Sequence, residues 1–254
     1  MKSSRQKEIL QILERDKVVS AAYLAEFFNV SIATIRRDFD QLEKQCALKK
    51  TYGGAELRDP PAPAWPSLSL RINSFAEAKQ AIAETALQYI PDHCTVALDS
   101  GSTTSELCRL LSARKNLIII CSDLHNAELA LTSGNRIYMM GGFLTTDGTS
   151  NGSFAREFLA NLGGVDLFIS STDGADPEDG LTTNEAGINE LKRQYLKRAK
   201  KTIVLVDSSK FRQKGFYKTC DFSDIDLLIT DPATPADIVE KIRSFGTQVI
   251  VAAR

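Results

Sequence analysis

The sequence predicts two units of different class: a short helix-rich unit at the N-terminus, then an α/β domain built on a mostly parallel sheet. Three observations carry this. Within residues 1–58, apolar residues recur at helical spacing in three successive segments and give way to two short extended pieces. Residues 59–69, DPPAPAWPSLS, hold four of the eight prolines of the chain and read as a stiff, extended linker. Over residues 70–254, apolar strand-like runs alternate with helical segments, the pattern of a sheet covered on both faces.

The elements of the first unit follow in order. Ser4 is placed to cap a helix whose apolar face is Ile9, Leu10, Ile12 and Leu13. Val18-Val19 reads as a short extended link. Ser20 caps a second helix, predicted over 21–28, with Leu24, Ala25 and Phe28 on one face. Asn29-Val30 makes a tight turn, and Ser31 caps a third helix that buries Ile35, Phe39 and Leu42. Its other face offers Ser31, Ala33, Thr34, Arg36 and Arg37, and LKKTYGGAEL then supplies two extended pieces carrying Lys49 and Lys50. A capped short helix, a turn and a longer helix with paired arginines predict a winged helix-turn-helix. The third helix would lie in the major groove of double-stranded DNA and the lysine hairpin against phosphates. Arginine suits both a bidentate contact to guanine and a phosphate clamp. In isolation a solvated amphipathic helix is the better explanation of the arginines; the three helices, the turn spacing and the basic wing together reverse that preference in favour of the DNA reading.

In the second unit a helix is predicted over 74–89 and strands over 95–98, 117–120, 136–140, 165–170, 202–206, 226–229 and 248–251. Helices are expected between many of them, at 102–111, 125–132, 152–161, 184–198 and 235–244.

The totals bound the function. Residues 1–58 carry 11 Lys/Arg against 8 Asp/Glu and the rest 20 against 24, so only the front piece is suited to a polyanion. Five cysteines without a CxxC spacing read as small buried hydrophobes in a reducing compartment. The N-terminus has no signal-peptide pattern, and no apolar run approaches the ~20 residues of a membrane span; a cytoplasmic protein is expected.

The stretch DSGSTTSEL, from Asp99 to Leu107, has the chemistry of an anion site. A strand ends at Asp99, Gly101 lets the backbone approach a ligand, and a helix opens with Ser102, Thr103 and Thr104. The unpaired N–H groups and dipole of that helix start favour negative charge, and the hydroxyls of Ser100, Ser102, Thr103 and Thr104 can donate to phosphate oxygens. A plain helix cap is the competing explanation. The sequence lacks GxxxxGK[ST], GxGxxG and GxSxG, so a Walker loop, a dinucleotide fold and a nucleophile elbow are unsupported. With only His93 and His125, neither at metal-like spacing, no catalytic triad, metal site or cofactor is expected. Gly141-Gly142, Asp173-Gly174, Thr182-Thr183-Asn184-Glu185 and Asp207-Ser208-Ser209-Lys210 also follow strands, where ligands bind in open α/β sheets, although each alone reads as a turn, a helix start or a solvated charge.

SAAYLAEFFNVSIATIRRDFDQLEKQCALKKTYGGA resembles the N-terminal helix-turn-helix of the DeoR family of bacterial transcription regulators, above all in Val30-Ser31, Thr34-Ile35-Arg36-Arg37-Asp38, Leu42-Glu43 and Tyr52-Gly53-Gly54-Ala55. The resemblance adds Tyr52 to the residues expected near DNA. It extends over 71–254 through Arg71…Lys79, DSGSTT, MMGG, FISSTDGAD, GLTTNE and VDSSKF, which look like the family's effector domain. That implies the fold shared by ribose-5-phosphate isomerase, glucosamine-6-phosphate deaminase and CoA transferases, and a sugar-phosphate effector. Asp99, Ser100, Gly101, Ser102, Thr103 and Thr104 match the phosphate loop, and Gly142, Asp173, Glu185 and Lys210 match positions around the sugar. The sequence departs from the family at Cys46, where glycine is usual, and at Lys50, where arginine is common. It departs again at 91–94, where PDHC replaces a glycine-containing turn, and at Gly187 inside a helix start, expected to cost ~1 kcal/mol against alanine. The expectation is a homo-oligomeric repressor of a carbohydrate operon whose DNA affinity responds to a sugar phosphate. The alternative is an isomerase or deaminase carrying a DNA-binding arm, with Asp173 or Glu185 as general base.

Overall fold

The computed structural model describes residues 5–6, 8–9, 12–13, 18–44, 48–51, 53–57 and 68–253. The chain divides into two units, Met1–Trp65 and Pro66–Arg254, each described by itself.

In the first unit, residues 5–6, 8–9 and 12–13 are helical (α1) and bury Ile9, Ile12 and Leu13. The strand β1 (Val18–Ser20) leads into α2 (Ala21–Phe27), capped by Ser20, whose Oγ accepts from the Tyr23 N–H at 3.0 Å. Asn29 turns the chain in the left-handed region at φ 48°. Next, α3 (Ile32–Lys44) is capped by Ser31, whose Oγ accepts from the Thr34 N–H. The strands β2 (Leu48–Thr51) and β3 (Gly54–Leu57) complete a three-stranded antiparallel sheet, order β1-β3-β2. The predicted wing is thus a hairpin, and the Val18-Val19 link forms its third strand. A Cβ on Gly54 would lie 2.2 Å from the Val19 carbonyl oxygen, so glycine is what lets β1 pair there. Ile9, Leu13, Leu24, Ile35, Phe39 and Leu42 form one core with Leu48 and Ala55. The expectations at Ser4, Leu10 and Cys46 lie outside the described residues, as does most of the predicted linker.

The second unit opens with α4 (Leu68–Asn73), a helix that begins inside the stretch predicted to be extended. The last proline of that stretch is Pro66, so nothing prevents Leu68 onward from coiling. Then come α5 (Ala76–Leu87), β4 (Thr95–Leu98), α6 (Ser102–Leu110), β5 (Ile118–Cys121), α7 (Leu124–Leu131) and β6 (Arg136–Met139). A small hairpin follows, β7 (Phe143–Leu144) and β8 (Ser150–Asn151), and then α8 (Ser153–Ala160), β9 (Val165–Ser170), β10 (Gly174–Asp176), β11 (Gly180–Thr183) and α9 (Ala186–Leu196). The chain closes with β12 (Ala199–Val206), β13 (Tyr217–Cys220), β14 (Leu227–Thr230), α10 (Ala236–Ser244) and β15 (Gln248–Val251).

Seven strands form one sheet in the order β15-β14-β12-β9-β4-β5-β6, every pair parallel. Alternate residues supply its two faces. Val96, Leu98, Ile203 and Leu205 pack with α5, α6 and α7, while Ala97, Phe168, Val204 and Val206 pack with α8, α9 and α10. The order reverses at β4: β5 and β6 lie on one side of it, and the chain then returns to place β9 on the other. The β4–β9 seam is therefore the switch point at which open α/β sheets hold ligands. The antiparallel trio β10-β11-β13 was not foreseen, and Gly174 starts a strand where a tight turn is one sequence reading.

Two expected anomalies acquire causes. His93, in the PDHC segment before β4, adopts φ 61°, a left-handed conformation that it tolerates less well than glycine would. Gly187 lies in the first turn of α9, and a Cβ there would meet the Asn151 amide at 2.0 Å. It is a packing glycine that admits Asn151 from β8.

Candidate functional site

On the first unit, the candidate DNA face is built by α3. Ile35, Phe39 and Leu42 turn inward, and Asp38 joins them, accepting from Arg5 at 2.6 Å and from Gln6 at 3.1 Å. That leaves Ser31, Ala33, Arg36 and Arg37 exposed on the other side, with Thr34 half-buried and bonded to Ser31. Arg36, Asp40, Lys50, Gly53 and Gly54 line one shallow groove between α3 and the wing. Lys50 is not a bare cation: its Nζ lies 2.7 Å from Asp40 and 3.4 Å from Glu43. The expected phosphate contact therefore starts from a cation already tied to α3, because two carboxylates on that helix face β2. Such an exposed pair is weak and exchangeable. Lys49 lies on β2, and Tyr52 lies outside the described residues.

On the second unit, the C-terminal ends of the parallel strands carry the DSGSTT loop after β4, Ser171–Asp173 after β9 and Asp207–Lys210 after β12. Gly101 is the N-cap of α6 in extended conformation, and Ser105 N–H makes a helical bond back to its carbonyl at 2.9 Å. The N–H groups of Ser102, Thr103 and Thr104 thus have no carbonyl within the helix. Gly101 is required by space: a Cβ would come 2.3 Å from Ser171 Oγ, across the β4–β9 seam.

The hydroxyls of the loop divide. Thr104, fully buried, directs its Oγ1 at the carbonyls of Asp99 and Gly101, both at 2.8 Å, and Ser105 donates to Gly101. These two fasten the helix start to the strand end. Among the described residues no hydrogen bond engages the hydroxyls of Ser100, Ser102 or Thr103, which leaves them as the donors of the loop. Asp99 also turns inward. Its Oδ2 accepts from the Ser171 N–H at 3.0 Å and from the Ser170 and Ser171 hydroxyls at 3.2 Å, and pairs with Lys192 Nζ at 2.9 Å, with side chains only 4% and 5% exposed. Lys192 also donates to the Ser171 carbonyl at 2.7 Å. Asp99 is thus a strut of the loop, its charge answered by a lysine from α9.

The remaining candidates, Gly142 excepted, fall around this seam. Asp173 Oδ2 accepts from the Thr183 hydroxyl and the Asn184 N–H, both at 2.8 Å, and holds the turn that ends at Glu185, the exposed N-cap of α9. Lys210 sits in a 3-10 turn, Ser208–Arg212; burial pushes its ammonium pKa down, opposed by Asp207 and Asp173. Gly142 lies apart at the base of the β7–β8 hairpin, at φ 132° and against the Asn151 carbonyl. Beside the loop, Asp123 caps α7 by accepting from the Asn126 N–H at 2.8 Å, and burial pushes its carboxyl up to about 6. Cys94, Cys108, Cys121 and Cys220 are buried with thiols pushed upward, as expected of hydrophobic cysteines. Among the described residues no cluster of His, Cys, Asp and Glu could hold a metal, and no helix is long and apolar enough to cross a membrane.

Residues 5–60 match the family model described as the DeoR-like helix-turn-helix domain, and residues 74–232 match the DeoR C-terminal sensor domain. The chain belongs to the DeoR family. Like its relatives, this DeoR chain is a DNA-binding transcriptional regulator. It is 31% identical to the HTH-type transcriptional regulator GolR of Listeria innocua, over 98% of both chains. It is 31% identical to the transcriptional repressor AccR of Agrobacterium fabrum, over 94% of each. The glycerol-3-phosphate regulon repressor of Escherichia coli K12 is 26% identical, over 97% of this chain and 98% of its own. A solved D-ribose-5-phosphate isomerase overlaps 53% of each chain at 22% identity and a TM-score of 0.41, an overlap too slight to speak to activity.

Lys192 and Ser171 bond Asp99, Asn126 donates to its carbonyl and Asp123 caps the neighbouring α7, and none of the four is among the candidates drawn from the sequence. Lys192 stands in the charged helical run NELKRQYLKR, where lysine ordinarily marks a solvated face. Its burial was signalled only by its spacing from Leu191 and Tyr195, both buried. Asn126 is fully buried and donates to the Asp99 carbonyl at 3.1 Å.

Proposed function

We propose that this regulator is a repressor of a carbohydrate operon, and that a sugar phosphate bound at the β4–β9 seam changes its affinity for operator DNA. One observation carries the reading. At the switch point of the parallel sheet, a helix start with free N–H groups is lined by the hydroxyls of Ser100, Ser102 and Thr103, and Gly101 is kept bare by the approach of Ser171. The phosphate belongs there. Lys210, Asp173 and Glu185 face the sugar, and Asp99 and Thr104 hold the loop in shape. Gly142 supports the hairpin beside it. The name of the glycerol-3-phosphate regulon repressor is consistent with a phosphorylated effector.

Operator DNA is met by Ser31, Ala33, Thr34, Arg36 and Arg37 of α3, with Lys49, Lys50 and Tyr52 from the wing on phosphates. The division of labour is 1–58 for DNA, 59–69 for the link and 70–254 for the effector. The protein works in the cytoplasm as a homo-oligomer, since paired operator half-sites need paired recognition helices. Turnover of the sugar phosphate is the weaker reading: Asp173, the candidate base, already holds the Thr183–Asn184 turn.

Gly101→Val tests the assignment. The added side chain displaces Ser171 and fills the seam, giving a protein that binds operator like the parent but no longer responds to effector. A normal response from this variant would reduce the loop to a turn.

A further inference from the structure

The wing is held to the helix-turn-helix on two sides, and one of them depends on a residue to which the DNA reading gives no part. On the inner side, β3 pairs with β1 from Val18 to Ser20, and the Ala21 N–H donates to the Gly53 carbonyl at 2.8 Å. On the outer side runs β2, an edge strand that carries Lys49 and Lys50. The buried Leu48 anchors its beginning in the core. Past Leu48, an edge strand presents backbone N–H groups with no strand beside them.

Glu43 meets this edge. It stands in the last turn of α3 and is half-buried. Its Oε1 accepts from the Lys50 N–H at 3.0 Å, and its Oε2 lies 3.4 Å from the Lys50 Nζ. One carboxylate thus grips the backbone and the side chain of the same wing residue. The two bonds differ in kind. The ammonium is exposed and also lies 2.7 Å from Asp40, so it exchanges easily with a phosphate. The N–H is fixed in the strand and stays with Glu43 when the ammonium leaves. The Lys50 N–H, more than the ammonium, holds the Glu43 carboxyl below its ordinary range.

Resting on the reading of α3 and the wing as the DNA face, we infer that Glu43 is a positioning residue for DNA binding: through the Lys50 N–H it sets the pose of the wing against α3. A helix in the major groove and a wing on phosphates must fit one duplex at once. A strand already held in that pose loses less freedom on binding than one that must be ordered there. Charge alone predicts the opposite. A carboxylate beside a DNA-binding face repels phosphates, so its removal would tighten binding. Positioning and charge therefore differ in sign.

The measurement is the affinity of the full chain for a duplex that the parent selects from random sequence, taken at several salt concentrations. Glu43→Ala should weaken binding about three- to tenfold. The slope of log affinity against log salt should flatten by about one unit as a wing phosphate contact is lost. Glu43→Asp keeps the charge on a shorter side chain and should weaken binding likewise. Glu43→Gln keeps the acceptor, drops the charge and should recover both affinity and slope. The far-UV spectrum and thermal midpoint report folding of each variant; where alanine does not fold, aspartate against glutamine makes the same comparison. If Glu43→Ala binds as tightly as the parent or more tightly, or Glu43→Asp binds unchanged, Glu43 is only a charge and the inference is overturned. A loss in Glu43→Gln equal to that in Glu43→Asp would assign the effect to the ion pair and overturn it as well. If neither Arg36→Ala nor Arg37→Ala weakens binding, the reading of the DNA face itself fails, and this inference with it.

Discussion

Asp99 illustrates what single residues do in this protein. In the sequence it heads a run of hydroxyls and invites a role on the ligand. In the fold its Oδ2 collects three hydrogen bonds and a 2.9 Å ion pair to Lys192 within the interior. Such a pair fixes geometry more than it adds net stability, because both ions are desolvated. Breaking it is another matter. Lys192→Met leaves the carboxylate buried without its counter-charge and should cost about 3–5 kcal/mol in urea unfolding. Replacing Asp99 by Asn in the same chain should return most of that loss. A single-variant loss below ~1 kcal/mol would show that water reaches the pair. The hydroxyls of the loop were legible as a set, but their division was not. Thr103 and Thr104 are adjacent and identical in type, yet Thr104 bonds the Asp99 and Gly101 carbonyls while no hydrogen bond among the described residues engages the Thr103 hydroxyl.

At the scale of elements, the parallel sheet was readable because its inner strands are buried on both faces and appear as short, nearly continuous apolar runs such as IIIC and TIVLV. The hairpin β7–β8 and the trio β10-β11-β13 were not, since GAD, GLTT and SN carry no hydrophobic period and their own side chains bond backbone groups elsewhere in the chain, Ser150 donating to the Gly141 carbonyl and Thr182 accepting from the Gly215 N–H. The recognition helix was legible because its buried stripe is strict, which fixes the outward azimuths of Arg36 and Arg37. Arg36→Ala or Arg37→Ala should therefore weaken operator binding and leave effector binding unchanged. Where the lost contact is to a phosphate, the slope of log affinity against log salt should flatten by about one unit. A variant that binds DNA as before with an unchanged slope would remove that arginine from the interface.

At the scale of the whole molecule, the front piece carries a net excess of three positive charges and the remainder a net excess of four negative ones, so the helix-turn-helix unit is the one suited to a polyanion. On the proposed function, the effector acts by favouring one arrangement of the protein over another. Moving such an equilibrium from about 99:1 to about 1:99 requires ~5.5 kcal/mol of differential binding, which the effector would have to supply through its contacts with one arrangement alone. The most direct measurement is a titration of the full chain against its operator at fixed salt, alone and with each of a panel of sugar phosphates. At least one phosphorylated sugar should lower operator affinity, while its unphosphorylated form should not. An operator affinity unmoved by every phosphorylated sugar, at every salt concentration tried, would contradict the account.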